Sequence, residues 1–331
     1  MGANDTPLRR SGERPGYTMP VCIRFARRMK TDNRTGPDRN HSGLSFTQAD
    51  SMELKRETLA DALGVQHAPV AAPARIVSLV PSITELLFAL GLGDQVVGRT
   101  HYCIHPAAAV AALPSVGGTK KIRHSRLRAL QPTHVILNID ENPKLLAEQL
   151  AEYVPQVIVT HPLTPEDNVP LYRLLGGIFN REVEAEALVA EFERALMLLR
   201  RAAWPKRRVL YLIWRKPWMG VSRDTYIARM LALVGWETLP TESEARYPVL
   251  EPDKALLDAA DLILFSSEPY RFQLTDLETF ARDYDCPLEK LRLIDGEMTS
   301  WYGSRAIQGL RYMEQFAREI AELVGYLSDA R

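Results

Sequence analysis

The sequence predicts an α/β protein of two lobes joined by one long rigid α-helix. Short apolar runs alternate with amphipathic segments in both halves of the folded body, and this alternation indicates parallel βαβ units. Between the halves, Arg181 to Trp204 runs without Gly or Pro and carries apolar residues near helical spacing. We therefore expect an N-terminal lobe over residues 73–180, a connecting helix over 181–205 and a C-terminal lobe over 206–331.

The predicted N-terminal lobe begins with the apolar run Arg75 to Val80, which is typical of a buried strand. Pro81 ends this strand, and Glu85 falls in the first turn of the next helix, where a carboxylate is favourable. Gly91 or Gly93 ends that helix. The further predicted strands are Val96–Gly98, Thr133–Leu137 and Gln156–Val159, and the further helices are Ser125–Leu130 and Pro143–Tyr153.

The alternation restarts after Pro205 and the basic residues that follow it. The two halves repeat the order of their elements but share no close repeat in sequence. In the C-terminal lobe the predicted strands are Val209–Ile213, Leu262–Phe265 and Leu291–Ile294, and the predicted helices are Thr225–Gly235, Pro252–Ala259, Leu274–Tyr284 and Ile307–Tyr326.

Residues 1–72 are predicted to lie outside both lobes. Residues 1–51 are rich in Arg, Gly, Pro, Asn, Asp and Ser and lack periodicity, which predicts a disordered basic extension. Residues 53–67 are predicted as a short polar helix, and an Ala- and Pro-rich linker follows it. No segment has the basic start, apolar stretch and small-residue cleavage site of a secretory signal, so a cytoplasmic location is left open.

Composition narrows the classes of partner. The 41 basic and 41 acidic residues give no net charge, and so no field that would favour nucleic acid. No apolar run reaches the roughly 20 residues that cross a bilayer, so no transmembrane segment is expected. The three cysteines lie far apart and predict neither a disulfide framework nor a zinc site. No Walker A or G-x-G-x-x-G loop is present, so nucleotide binding lacks its usual cradle. We expect a monomer without a cofactor.

Aromatic residues are concentrated in loops that follow predicted strands. In open α/β sheets ligands bind beyond the carboxyl ends of the strands, and clefts between lobes are favoured sites. Aromatic rings with Arg and Lys nearby suit a large, flat, partly charged ligand, although each Trp could instead close the edge of a lobe. The candidate stacking residues are Trp214, Trp218, Trp301 and Tyr302, and the candidates for holding polar ends of the ligand are Lys120, Arg215 and Arg305.

One loop contains an H-x-C-x-H motif, formed by His101, Cys103 and His105. On a strand, alternate residues share one face, so the three side chains could converge on a metal ion. Most such clusters are incidental, and we keep Cys103 and His105 only as candidate metal ligands. An enzyme acting through His101, Cys103 or Glu268 is a weaker alternative, because no paired acid–base or nucleophile motif occurs.

Six pieces of the chain, in order, resemble the substrate-binding proteins of ABC importers for cobalamin, haem and iron-siderophores. The resemblance implies the class III periplasmic binding protein architecture, in which two Rossmann-like lobes hold the ligand between them and a rigid helix limits closure. It also implies a periplasmic location and an ABC permease as partner. The matching pieces are Arg75–Gly93, Val97–Pro106, Val116–Lys120, Leu130–Asn138, Trp214–Ile227 and Asp295–Arg305.

The resemblance also implies site residues by position. Tyr102, Trp218 and Tyr247 match aromatic ligand contacts of cobalamin-binding members. Thr119 and Asn138 fall where those members carry further aromatics, and neither is aromatic here. Asn138, His101 and Glu268 complete the set of candidate ligand contacts.

Docking to an importer in this family uses one surface carboxylate in each lobe. Asp253 matches that position in the C-terminal lobe, whereas Ser125 stands at the N-terminal position, inside the basic stretch Lys120–Arg128. A basic surface facing a basic permease socket would be repelled. Glu85 is a second carboxylate that could dock a partner, with Glu268 as a further one.

The leading hypothesis is non-catalytic binding of a metal chelate, a corrinoid such as cobalamin or an iron complex, for an ABC importer. A cytoplasmic ligand sensor or carrier with the same fold and no transporter is the alternative. An enzyme that uses the same cleft ranks third.

Overall fold

The computed structural model describes residues 59–329, with side chains described as far as Leu323. The predicted basic extension and the first part of the predicted polar helix lie outside the described residues. Within residues 59–329 the chain forms two β-sheets, with α-helices packed around them.

The first sheet has four parallel strands in the order β2-β1-β3-β4. Its two central strands are buried along their whole length because helices cover both faces of a parallel sheet. We call this sheet and its helices the N-terminal lobe. Its elements are β1 (Ile76–Ser78), α1 (Pro81–Ala89), β2 (Val96–Arg99), α2 (Ala107–Ala111), α3 (His124–Ala129), β3 (His134–Asn138), α4 (Leu145–Ala151), β4 (Gln156–Thr160) and α5 (Asn168–Ile178).

The connecting helix is α6 (Glu182–Arg201), so the helix predicted from the Gly- and Pro-free stretch is confirmed. Its 20 residues span about 30 Å. Acidic residues lie in its first turn and basic residues in its last turn, where each sign complements the helix dipole. Its buried face includes Val189, Phe192 and Leu199.

The second sheet is mixed and larger. Its strand order is β10-β9-β5-β6-β8, and β7 pairs with β5. We call this sheet and its helices the C-terminal lobe. Its elements are β5 (Arg207–Trp214), β6 (Trp218–Gly220), α7 (Tyr226–Ala232), β7 (Trp236–Thr238), β8 (Val249–Leu250), α8 (Lys254–Ala259), β9 (Leu262–Ser266), α9 (Leu274–Asp283), β10 (Leu291–Ile294), α10 (Gly296–Ser300) and α11 (Arg305–Asp329).

One hydrophobic core extends through both lobes. The same buried cluster contains Ile136 of β3, Tyr172 of α5, Phe192 of α6 and Tyr211 of β5. The two sheets and the helix between them form the two-lobe α/β architecture that the sequence predicts. The proposed domain bounds stay a prediction.

Helix α5 did not stand out in the sequence. It carries Pro170 and the pair Gly176-Gly177, residues that normally argue against a helix. Pro170 is tolerated because it lies in the first turn, where its missing N–H leaves no bond unmade. Gly176 is needed because a Cβ there would lie 2.5 Å from the Cβ of Ala185 in α6. Close packing of α5 on α6 therefore outweighs helix propensity.

The polar helix predicted over residues 53–67 is wrong where the structure describes it. Residues 59–67 form a loop in which Ala60 bridges Gln66. The Asp61 carboxylate accepts hydrogen bonds from the backbone N–H groups of Leu63, Val65 and Val159, which fixes the loop to the edge of β4. A buried Asp that bonds nearby backbone groups offers an alternative to helical bonds.

Among the described residues, none of the helices combines the length and the apolar character that crossing a membrane would require.

Candidate functional site

The two lobes meet at loops that follow the carboxyl ends of β2, β3, β9 and β10, together with the first turns of α1 and α11. We call this region the interlobe site. Gly303 forms part of its floor: its N–H donates to Asn168 Oδ1 at 2.6 Å, and its carbonyl accepts from the Tyr172 hydroxyl at 2.8 Å. Gly303 has φ of 84°, and a Cβ there would lie 3.2 Å from the Ser82 carbonyl oxygen. Glycine thus permits the close approach of the lobes.

The loop after β3 is held by asparagine side chains. Asn138 Oδ1 accepts from the N–H groups of Asp140 and Glu141, and Asn142 Oδ1 accepts from the Asn138 N–H at 2.9 Å. These local bonds replace the ladder that ends with the strand. They present Asp140 and Glu141 at the interlobe site. Asn138, predicted as a ligand contact, is itself buried and bonds within this loop.

Asp140 links the lobes. Its carboxylate forms an ion pair with Arg246, which lies between β7 and β8, and lies 3.5 Å from His161 Nε2. Lys120 Nζ donates to the Asp140 carbonyl oxygen at 2.8 Å. Burial raises the pKa of Asp140, but the hydrogen bond with His161 and the Arg246 charge outweigh it and leave the pKa lowered. Asp140 is therefore ionised at neutral pH.

A second charged contact between the lobes lies at the start of α11. Arg305 donates to both Glu85 oxygens, at 2.7 and 2.8 Å, and its Nη1 lies 3.2 Å from Glu297 Oε2. Glu297 in turn lies 3.0 Å from His105 Nε2. Glu85 and His105 belong to the N-terminal lobe, whereas Arg305 and Glu297 belong to the C-terminal lobe. The Glu85–Arg305 and His105–Glu297 contacts thus link the two lobes.

Glu268, after β9, is fixed by its neighbours. Its Oε1 accepts from Ser300 Oγ and Trp301 Nε1, both at 2.7 Å. Burial, together with the charges of Glu297 and Glu141, raises the pKa of Glu268 to about 7, against the lowering effect of these two hydrogen bonds. Glu268 is therefore half-ionised near neutral pH.

The predicted aromatic residues occupy different surroundings. Trp301 and Tyr302 are buried at the interlobe site, where Arg305 lies 5.1 Å from the Trp301 ring and Tyr302 packs on Tyr226. Tyr102 is exposed and contacts the ring of His101.

The remaining aromatic candidates pack on the C-terminal lobe itself. Trp218 stacks on Phe272 and donates from Nε1 to the Tyr284 hydroxyl at 2.7 Å. Trp214 and Tyr247 are partly buried against the core, and the Trp214 ring meets Tyr270 edge-on. Each could still present one edge to a ligand, so their roles stay predictions.

The other candidate residues are already engaged. Arg215 pairs with Asp276, within the C-terminal lobe. Asp253 caps α8, where its Oδ1 accepts from the Leu256 N–H at 2.8 Å. Glu85 has both oxygens bound by Arg305. Docking by Glu85 or Asp253 stays a prediction.

The H-x-C-x-H motif does not form a converging set. Residues 101–105 lie in a turn, where alternate residues do not share a face as they would on a strand. Cys103 is buried against Thr84 and Thr100, while His105 points to Glu297. Burial raises the pKa of the Cys103 thiol, which disfavours the thiolate that binds metals. Among the residues that the structure describes, no three His, Cys, Asp or Glu side chains are grouped to hold a metal ion.

Sequence reasoning did not single out Asp140, Glu141, His161, Arg246 or Glu297. Asp140, Glu141 and Glu297 follow predicted strands, so their position after a strand could have marked them. Arg246 follows none of the predicted strands, and its pairing with Asp140 joins residues 106 positions apart. No local signal identifies such a contact.

Comparison with known proteins gives consistent matches. A family described as "Periplasmic binding protein" matches residues 76–284. The "Vitamin B12-binding protein" of Pectobacterium carotovorum subsp. carotovorum is 24% identical over 217 residues, which cover 64% of this chain and 78% of that protein. The protein of the same name from Photorhabdus laumondii subsp. laumondii is 24% identical over 212 residues, which cover 63% of this chain and 77% of that protein.

Solved structures share the fold. The periplasmic vitamin B12 binding protein of Vibrio cholerae superposes with a TM-score of 0.66 and 18% identity, covering 75% of this chain and 98% of that one. A periplasmic heme-binding protein from Roseiflexus sp. RS-1, in apo form, gives a TM-score of 0.66 and 23% identity, covering 76% of this chain and 100% of that one. At these identities the likeness concerns the fold.

Proposed function

The chain belongs to the periplasmic binding protein family, and from this premise we propose that it binds a metal chelate, a corrinoid or an iron complex, at the interlobe site. The ligand is held without being transformed, as substrate for an ABC importer. The named relatives, vitamin B12-binding and heme-binding proteins, support this class of ligand.

The observation that carries the proposal is the meeting of strand-end loops from both lobes. In the loop after β3, Asp140 pairs with Arg246 of the C-terminal lobe, and at the start of α11, Arg305 pairs with Glu85 of the N-terminal lobe. Glu268, after β9, bonds Trp301 between α10 and α11. In open α/β sheets, ligands commonly bind in the crevice beyond the carboxyl ends of the strands. Buried Trp301 and Tyr302 supply flat apolar surface at the same place.

The proposed ligand contacts remain those named from the sequence. Trp301 and Tyr302 contribute apolar surface, Tyr102 and His101 contribute an exposed pair of rings, and Lys120 lies beside Asp140. Trp214, Trp218 and Tyr247 would contact a ligand from the C-terminal lobe.

Titration tests the proposal directly. Purified protein is mixed with dicyanocobinamide, cobalamin, haemin and a ferric hydroxamate, and binding is followed by absorbance and by calorimetry. We expect a dissociation constant in the micromolar range or below for at least one of them, about −8 kcal/mol or stronger. The bound chelate should be recovered with its original spectrum. If the protein binds none of the four chelates, the proposal is rejected.

The alternative of a sensor or carrier without a transporter is favoured by one observation. Around Ser125, the exposed side chains of α3 and the residue before it include Arg123, Arg126 and Arg128. Like charges would oppose docking to a basic permease surface. Fractionation of cells that make the protein from its native gene distinguishes the two: recovery with the periplasmic fraction would reject the sensor.

A further inference from the structure

One stretch of the N-terminal lobe carries charge of a single sign. Between Gln95 and Ile139 the sequence has six Lys or Arg residues and no Asp or Glu. Since the whole chain has 41 basic and 41 acidic residues, the remainder carries six more acidic than basic residues. Residues 1–58, with 11 basic and seven acidic residues, are themselves basic. The N-terminal residues of the chain therefore do not complement the charge of this stretch.

Four of these cations lie together at the surface, and we call them the basic face. They are Lys121, Arg123, Arg126 and Arg128, all exposed, in α3 and the loop before it. None of the four forms an ion pair with a carboxylate among the residues that the structure describes. Elsewhere on the described surface, exposed arginines such as Arg200 pair with a glutamate. The like charges of the basic face repel one another, so an anionic partner would stabilise it.

Helix α3 presents small side chains between two of these arginines. Leu127 is fully buried and fixes the helix to the core of the lobe. Ser125 and Ala129, four residues apart, lie on the opposite, exposed side of the helix, and Arg126 and Arg128 flank them. A partner can therefore come close to α3 and meet a guanidinium group on either side.

Both flanking guanidinium groups are held by uncharged neighbours. Arg128 lies 3.6 Å from the centroid of the Tyr153 ring, and the Tyr153 hydroxyl lies 2.8 Å from His124 Nδ1. Arg126 donates from Nη1 to the Ser115 carbonyl oxygen at 3.4 Å. A guanidinium has five N–H groups, so donors remain for a partner. Its planar fork matches the two oxygens of a carboxylate, and holding it in place lowers the entropy lost on pairing.

We propose that the basic face binds an acidic surface of a partner protein, with Arg126 and Arg128 pairing with its carboxylates. The proposal goes beyond the proposed function, because the chelate takes no part in it. The exposed residues of α3 include no large apolar side chain that could enter a bilayer, which favours a protein over a membrane. The acidic remainder of the chain repels an extended polyanion such as DNA. A permease that docks here would present Asp or Glu to α3.

Titration with poly-L-glutamate tests the carboxylate chemistry. Fluorescent chains of about 20 residues are titrated with the full-length protein in 0.05 M NaCl, where charges are weakly screened. We expect a dissociation constant of about 100 μM or lower. The double variant Arg126→Gln/Arg128→Gln should weaken binding at least about tenfold, because both charged forks are lost. The control Arg194→Gln/Arg201→Gln, at two exposed positions of α6, should leave the affinity unchanged.

A lysine variant and a lipid probe separate fork recognition from charge alone. Arg126→Lys/Arg128→Lys keeps both charges, and we expect it to weaken poly-L-glutamate binding by about three- to fivefold. Vesicles of phosphatidylglycerol should bind the wild-type protein more weakly than poly-L-glutamate does, a comparison that needs no variant. Tighter binding of the vesicles, or an unchanged poly-L-glutamate affinity in either the Gln or the Lys variant, would overturn the proposal.

Cross-linking in cells tests the partner itself. The photoreactive residue p-benzoylphenylalanine is placed at Ser125 or, as control, at Ala190 on the exposed side of α6, in protein made in its native host. We expect the Ser125 position to cross-link a peptide with several Asp or Glu residues, and the product to be lost in Arg126→Gln/Arg128→Gln. No product, a lipid or nucleic-acid adduct, or a peptide without acidic residues would overturn the proposal. None of these results bears on the chelate titration.

Discussion

The lobes are joined at Asn168 by neutral hydrogen bonds and at Arg305 by charges. Asn168, fully buried, donates to the Pro165 carbonyl and the Tyr226 hydroxyl and accepts from the Gly303 N–H. Arg305 instead binds two carboxylates, Glu85 and Glu297. Neutral bonds keep their strength at any ionic strength or ordinary pH, while charged contacts respond to salt, pH and ligand charge.

This difference separates a fixed part of the site from an adjustable part. The floor around Asn168 sets how the lobes meet, since the N–H and carbonyl of Gly303 are bound by Asn168 and Tyr172 in short, buried hydrogen bonds. The charged contacts lie next to Glu268 and the proposed ligand, where a bound molecule can exchange partners with them. Breaking either set should therefore destabilise the protein, but with different dependence on salt and pH.

The largest effect is expected for Arg305→Met. The change leaves Glu85 and Glu297 without their cation in a largely buried place, which should lower the free energy of unfolding by about 3–5 kcal/mol. Urea unfolding followed by circular dichroism measures it. Arg311→Met is the control, because Arg311 pairs with Glu191 on an exposed surface of α11 and should cost less than about 1 kcal/mol. Similar losses for the two variants would show that the Arg305 contacts stabilise the protein no more than an exposed ion pair does.

The variant Asn168→Ala removes the neutral hydrogen bonds that Asn168 makes at the floor of the site. Loss of three buried hydrogen bonds should lower the free energy of unfolding by about 2–3 kcal/mol. Tyr172→Phe removes only the bond to the Gly303 carbonyl and should cost about 1 kcal/mol. Both losses should be equal in 0.05 M and 1 M NaCl. A clear salt dependence at Asn168 would contradict the contrast with Arg305.

A third effect concerns the pH dependence of stability at Glu268. Its pKa is about 7 in the folded protein and near 4.5 when exposed, with Glu297 and Glu141 as the charged groups that raise it beyond burial. The folded state therefore holds this proton more tightly. The resulting stability is fully present below pH 4.5 and is lost as pH rises through 7, by about 3 kcal/mol.

Glu268→Gln should remove this component. The variant should lose less stability than the wild type between pH 5 and pH 8, measured by thermal and urea unfolding. Glu278→Gln, on an exposed face of α9, should follow the wild-type profile. An unchanged pH profile in Glu268→Gln would show that the carboxylate titrates normally.

Much of the fold could be predicted because its strands and helices follow from local patterns of apolar and polar residues. The buried strands β3 and β9 are continuous apolar runs, and α6 is a stretch of 20 residues with one apolar face. Such patterns depend only on neighbours within a few residues, so they survive without knowledge of the rest of the chain. Helix α5 was not predicted, because its two glycines are explained only by close packing against α6 and Leu59, which lie elsewhere in the chain.

The site could be predicted only in part. The positions of Trp301, Tyr302 and Glu268 after strands indicated a binding region, and the structure gathers them at the interlobe site. The partners of each side chain did not follow from the sequence. Glu85 and Arg305 were named for separate roles, docking and ligand binding, yet they bind each other across 220 positions.

The sequence by itself determined the two α/β lobes, the connecting helix and the residues beyond the strand ends. Hydrophobic periodicity and the Gly and Pro residues that end helices and strands are local signals. Only the tertiary structure decided which charges meet, that the histidines and cysteine of the H-x-C-x-H motif lie apart, and that Ser300 and Trp301 bond the same Glu268 oxygen. Those outcomes depend on how two lobes pack, and packing brings together residues that share no local pattern.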